Sequence, residues 1–284
     1  MREGRARLIV ADRIGTMPVT RLQVTDVDQW IVRMRKAKVG EGSIRNQLQT
    51  LRSAMAQAVR WGWISQNPTV LASYERQERT VRDVMSAEDI HAVLAGAVIV
   101  NEMAPVAFRL AAITGARRAE LAALRRTDLD EAVLTIDSAI TDVLEGEGDD
   151  RETVVRDDPT KTGDRRRVAL DPDTVEVLEP LRAQREPYAP WLFSDDDEAP
   201  RPDRIGYWWR RSRELAGIDK EWRLHDLRHW SATFALSEGY DLAVVAGRLG
   251  HSDPSTTLRV YAYAHARNQR DVELATSLGE ALRR

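Results

Sequence analysis

The chain has 284 residues, 43% of them hydrophobic and 31% charged, which describes a globular protein of one or two domains and excludes a disordered chain. It contains no cysteine, which excludes a disulfide framework and any thiolate metal site. The net charge of −3 hides an asymmetry: residues 1–82 carry 15 Lys/Arg against 7 Asp/Glu (+8), and residues 83–284 carry 27 against 38 (−11).

The first 80 residues read as helical. Thr25 is placed as an N-cap, with Asp26 and Asp28 in the first turn where they favour the helix dipole. Ser43 can cap a longer helix running through Trp61, in which Ile44, Leu48, Leu51, Met55 and Val59 form one apolar stripe. Arg45 and Arg52 lie off that stripe, free to meet solvent or phosphate. Gly62 and Asn67-Pro68 end the helical stretch. Residues 73–83 (SYERQERTVRD) are charged and aperiodic, as expected of a linker. The basic charge ahead of it suits a polyanionic partner.

The second part opens at Ser86-Ala-Glu-Asp89, a capping-box-like start. Helical patterns follow near 104–113 and 117–125. Residues 133–141 (VLTIDSAIT) are strand-like, as are Thr153 to Val155 and Arg166 to Leu170, the last two joined by a turn at Asp158 to Asp164. Helices are expected again near 173–185, 203–216, 225–237, 241–249 and 255–282. The expected fold is mainly α with a small antiparallel β-sheet. Its domains are 1–80 and 81–284, the latter including a C-terminal tail. Carboxylates cluster between Asp142 and Glu152 and from Asp195 to Glu198, in what read as solvated loops.

Several short motifs carry chemistry. In Thr114-Gly-Ala-Arg117-Arg-Ala-Glu120, Gly115 ends one helix and places Arg117 in the first turn of the next, beside free backbone N–H groups; a surface pairing with Glu120 is the alternative. Lys161 falls at the tip of an expected hairpin. His225-Asp-Leu-Arg-His229 parses in two ways. His225 and Arg228 make a phosphate-handling pair, or His225 and His229, with His251 as a third ligand and Asp226 as base, make a zinc-hydrolase site. Leu249-Gly-His251 ends a helix, and Tyr261 follows ten residues later.

In this order and with these neighbours, the motifs resemble the tyrosine recombinase (phage integrase) family over nearly the whole chain. Trp61 to Pro68 resembles the exit of the family's helical core-binding domain. The resemblance implies a DNA-cutting enzyme that needs no metal or other cofactor. Its catalytic residues would be Arg117, Lys161, His225, Arg228, His251 and Tyr261. Tyr261 would attack a phosphodiester and form a 3′-phosphotyrosyl link that conserves the bond energy, so no ATP is required. Arg117, Arg228 and His251 would hold the non-bridging oxygens, Lys161 would protonate the leaving 5′ oxygen, and His225 would assist proton transfer from Tyr261. Glu120 would orient Arg117 or hold the helix rather than perform chemistry. Tyr261 is preferred to Tyr263 because it follows Thr256-Thr257 at the family's spacing.

The implied partners are double-stranded DNA gripped between the two domains, sister protomers in a tetramer reached through residues 264–284, and DNA-bending or directionality factors. The implied location is the cytoplasm, in association with the nucleoid. No arm-binding domain precedes the first helix, which points to a short recombinase or a truncated form. A relic that binds DNA without cutting it, and a relaxing topoisomerase with the same chemistry, are the neighbouring alternatives. The zinc parse leaves Arg117, Lys161 and Tyr261 without a role and sets Arg228 beside the metal.

Overall fold

A computed structural model describes residues 9–74, 83–145, 152–159, 165–183, 190–194 and 198–250. The chain divides into two compact units, Met1–Thr80 and Val81–Arg284.

The first unit is built on α1 (Val24–Lys36) and α2 (Glu41–Arg60), with short 3-10 turns around them. Helix α1 begins earlier than Thr25, because the backbone N–H of Gln23 donates to Asp26 Oδ2 at 2.9 Å and makes Gln23 the N-cap. Arg33, Arg35 and Lys36 occupy the last turn, where cations complement the dipole. Helix α2 starts from Gly40, so Ser43 sits inside its first turn and caps nothing. Its buried stripe is Ile44, Gln47, Leu48, Leu51, Met55 and Ala58; Ala58 takes the inner place assigned above to Val59. Ile44, Leu48, Leu51 and Met55 pack on Val27, Trp30, Ile31 and Met34 of α1. Arg52 is not free for phosphate, since its Nη2 donates to the Thr69 carbonyl at 3.0 Å. Asn67 returns a bond from Nδ2 to the Arg52 carbonyl and accepts from the Thr69 N–H, clipping the Asn-Pro turn onto α2.

The second unit has a helical body. Helix α3 (Ala87–Val100) starts at Ser86, whose Oγ accepts from the Asp89 N–H at 3.0 Å. Helix α4 (Ala104–Thr114) is buried along most of its length and ends at Gly115, which adopts φ 63°. The short α5 (Arg118–Ala123) follows at once. Helices α6 (Pro172–Ala183), α7 (Pro202–Leu215), α8 (Leu224–Ser237) and α9 (Leu242–Leu249) complete it. Phe108 of α4 meets Trp209 of α7 edge to face at 5.0 Å in the middle of the core.

The strands differ from the sequence expectation. Residues 133–141 form two strands, β2 (Val133–Ile136) and β3 (Ser138–Glu145), separated at Asp137. Antiparallel β1 (Leu129–Asp130), β2 and β5 (Arg166–Ala169) make one sheet in the order β1-β2-β5. Strands β3 and β4 (Glu152–Pro159) pair as a separate two-stranded sheet, from Ser138 opposite Pro159 to Glu145 opposite Glu152. β4 and β5 therefore do not pair with each other, and residues 160–164 link two sheets. The antiparallel neighbour of β4 is instead β3.

Candidate active site

Three of the expected site residues, Arg117, His225 and Arg228, fall within the described residues; Lys161, His251 and Tyr261 lie outside them, as does the helix expected at 255–282. The three come from the junctions of α4 with α5 and of the 219–223 segment with α8. The residue after α9 closes on the same place.

Gly115 makes this convergence possible. A Cβ built there would lie 2.2 Å from Leu249 Cδ2 and 3.5 Å from Arg228 Cγ, so the end of α4 approaches α8 and α9 more closely than any other residue would allow. Arg228 is 4% exposed, and its Nη1 donates to the Gly115 carbonyl at 2.6 Å. Its Nη2 is buried and has no acceptor. Burial and the neighbouring Arg117 charge push the Arg228 pKa down to about 9, which leaves it cationic at neutral pH.

Arg117 is the N-cap of α5. Its backbone N–H and Nη1 both donate to Glu120, at 2.9 and 2.6 Å, and its Nη2 reaches the Gly250 carbonyl at 3.4 Å. Its neighbour Arg118 turns away to Asp203 at 2.7 Å, so the Arg-Arg pair separates into one site residue and one surface residue. Glu120, 2% exposed, accepts a further bond from Arg166 Nη2 at 2.5 Å. Burial works to raise its pKa, but the two guanidiniums and the backbone N–H more than offset this and hold it down at about 2. Glu120 therefore supports Arg117 as expected.

Arg166 is the residue that sequence reasoning missed. It is 7% exposed, and in β5 it alternates inward with Val168. It is the middle one of three consecutive arginines, Arg165 to Arg167, and only the strand period distinguishes it. Arg248 was also missed: it donates to the carbonyls of Ile113 and Ala169, fastening α9 to the end of α4 and to β5.

His225 keeps surface open to solvent but is crowded by its neighbours. Desolvation, with His229 and Arg228 close by, lowers its pKa to about 4, so the imidazole is neutral near pH 7. The His225 and His229 rings meet edge to face with centroids 5.1 Å apart. Asp226, the base of the zinc parse, is 8% exposed and accepts the Arg223 backbone N–H at 2.7 Å, starting α8. Among the described residues no group of three or more His, Asp or Glu side chains could hold a metal ion.

Arg117, Arg166 and Arg228 thus stand around a single carboxylate, three positive charges against one negative, an excess of two. Such a cluster is built to receive an anion.

The chain is similar to known proteins throughout. It is 28% identical over 190 residues to the ICEBs1 integrase of Bacillus subtilis (strain 168), covering 62% of this chain and 48% of that protein. It is 29% identical over 202 residues to tyrosine recombinase XerC 2 of Ralstonia nicotianae, covering 69% and 53%. The chain spans about half the length of these relatives. A structure of the Tn1549 transposon integrase in complex with transposon right end DNA superposes with a TM-score of 0.78 at 20% identity, over 98% of this chain and 92% of that one, and so shares the fold. The sequence profile of the phage integrase family matches residues 84–270, and the chain belongs to that family.

Proposed function

We propose that the protein is a site-specific DNA recombinase, an integrase that cuts and rejoins duplex DNA through a 3′-phosphotyrosine without metal or ATP. The observation that carries this reading is the buried, unpartnered Nη2 of Arg228 beside the Arg117 guanidinium. Leaving such a donor unsatisfied is costly, and a non-bridging phosphate oxygen is the acceptor it lacks. Arg117 and Arg228 would be most useful when that phosphorus becomes pentacoordinate and its oxygens gather charge. His225, neutral at working pH, is fit to receive the proton of Tyr261. Lys161 as acid on the leaving 5′ oxygen, His251 as a further donor and Tyr261 as nucleophile complete the set.

The described residues hold no helix long and apolar enough to cross a membrane. Duplex DNA bearing a recombination site is the proposed substrate, with the basic first unit contributing phosphate contacts. Four protomers on two sites, DNA-bending or directionality factors, and a nucleoid-associated cytoplasmic location complete the proposal.

The test is a nicked suicide duplex carrying candidate attachment sequence, incubated with the protein in EDTA. The wild-type chain and Tyr263→Phe should trap a covalent protein–DNA adduct, and Tyr261→Phe should trap none. The reverse pattern would reassign the nucleophile, and adduct loss in EDTA would revive a metal mechanism. Recombinant junctions rather than relaxed circles among the products separate a recombinase from a topoisomerase.

A further inference from the structure

Glu120 is the least exposed charged residue among the described residues, and it divides its oxygens between two arginines. Oε1 accepts from Arg117 Nη1 at 2.6 Å; Oε2 accepts from Arg166 Nη2 at 2.5 Å and from the Arg117 backbone N–H at 2.9 Å. A carboxylate left alone with an arginine side chain favours a two-pronged fork. Arg166 occupies the second prong and keeps Arg117 from closing that fork. The Nη2 of Arg117 is left with only a long contact, 3.4 Å from the Gly250 carbonyl. Arg166 is itself tightly held. The strand period turns it inward, and Gly250 lies so close that a Cβ there would stand 3.0 Å from both Cδ and Nη1 of Arg166.

We propose that Arg166 is a positioning residue of the active site: by holding Oε2 of Glu120 it keeps Arg117 in a single-pronged side-chain contact, with its remaining N–H groups available to the phosphodiester. This rests on the functional reading above and deepens it. The charged groups acting on Glu120 are Arg117 from its own turn and Arg166 from β5, while Arg228 of α8 feels Glu120 in return. Elsewhere α5 presents Arg118 to Asp203 of α7, an exposed pair.

The test uses the full chain with Arg166→Met and Arg166→Lys, each alone and combined with Glu120→Gln. The Glu120 carboxyl is titrated by carbon-13 NMR. Dimethyl phosphate, a diester that stays a monoanion, is titrated against the arginine Nε–Hε signals at pH values from about 4 to about 8. In the wild type Glu120 should stay ionised and diester affinity should be flat with pH. In Arg166→Met the Glu120 titration should move up into this range. With Glu120 ionised at the upper end of the range, Arg117 should close the fork and diester affinity should fall about tenfold below wild type, the share of one charge-assisted hydrogen bond, and recover as pH is lowered and Glu120 is protonated.

Adding Glu120→Gln should abolish that pH dependence. Arg166→Lys should show a smaller shift and a smaller loss, and it carries the test if Arg166→Met does not fold. A role through charge alone predicts that Arg166→Lys, which keeps the positive charge, binds diester as wild type does; wild-type affinity in Arg166→Lys, or a loss in Arg166→Met that persists unchanged on acidification, would overturn the proposal. So would an unmoved Glu120 titration. A wild-type chain that binds no diester at any pH would overturn the functional reading, and this proposal with it, whereas an unmoved Glu120 overturns the proposal alone.

Discussion

A buried guanidinium nitrogen without an acceptor is a standing cost, and Arg228 carries one at the centre of the site. Its other terminal nitrogen is fixed on the Gly115 carbonyl, so the side chain is oriented before any substrate arrives. Replacing Arg228 by Ala should lower the rate of adduct formation on a suicide duplex by about a hundredfold or more, the loss seen when a preorganised donor is removed from a charged transition state. Glu120 gives a second expectation. Its pKa is about 2 in the folded protein against roughly 4.3 in an unfolded chain, so the stability it contributes is fully present above the unfolded value. That stability, on the order of 3 kcal/mol, is lost as pH falls towards the folded value. Urea unfolding of Glu120→Gln followed from about pH 6 to about pH 2 should therefore show a flatter acid limb than wild type. At this scale the sequence was partly legible. Arg117, Arg228 and Glu120 stood out because their spacing meets a recognisable motif, while Arg166 was concealed in an unbroken basic run that only its buried strand position sets apart.

Helix starts were readable where a side chain caps them. Ser86 accepts the expected N–H, and Asp226 starts α8 from the inside of its own first turn. They were misread where the cap is unconventional. Gln23 became the cap because Asp26 could reach back to its N–H, and Gly40 displaced Ser43 by three residues, its carbonyl accepting from the N–H groups of Ser43 and Ile44. Strand pairing was not legible at all, since nothing local tells β5 to join β2 rather than β4; the pairing is set by contacts distant in sequence. The glycine ending α4 is the element-level hinge of the site. Gly115→Ala would combine a positive φ with a Cβ 2.2 Å from Leu249, and should cost at least about 2 kcal/mol. In a unit of this size that lowers the melting temperature by roughly 5 °C. Adduct formation should fall further than the stability loss alone predicts, because Arg228 hangs from the same carbonyl.

For the whole molecule, the division of charge is the feature that bears on DNA. Residues 1–82 hold the +8 balance and residues 83–284 the −11, and in the first unit Arg13, Arg21, Lys36, Lys38 and Arg60 are exposed. Affinity for duplex DNA should therefore be strongly salt-dependent, falling about a thousandfold between roughly 50 and 200 mM salt, as for proteins that neutralise several phosphates; a fluorescence-anisotropy titration checks this, and a flat curve would contradict phosphate-led binding. The asymmetry was plain in the sequence, whereas the self-sufficiency of each unit was not, because it depends on which apolar side chains find one another. One cluster, around Trp30 and Ile44, draws only on the first unit, and another, around Phe108 and Trp209, only on the second. Among the described residues neither apolar cluster borrows a side chain from the other unit, so a substitution that empties one interior leaves the other filled, and the two are open to separate redesign.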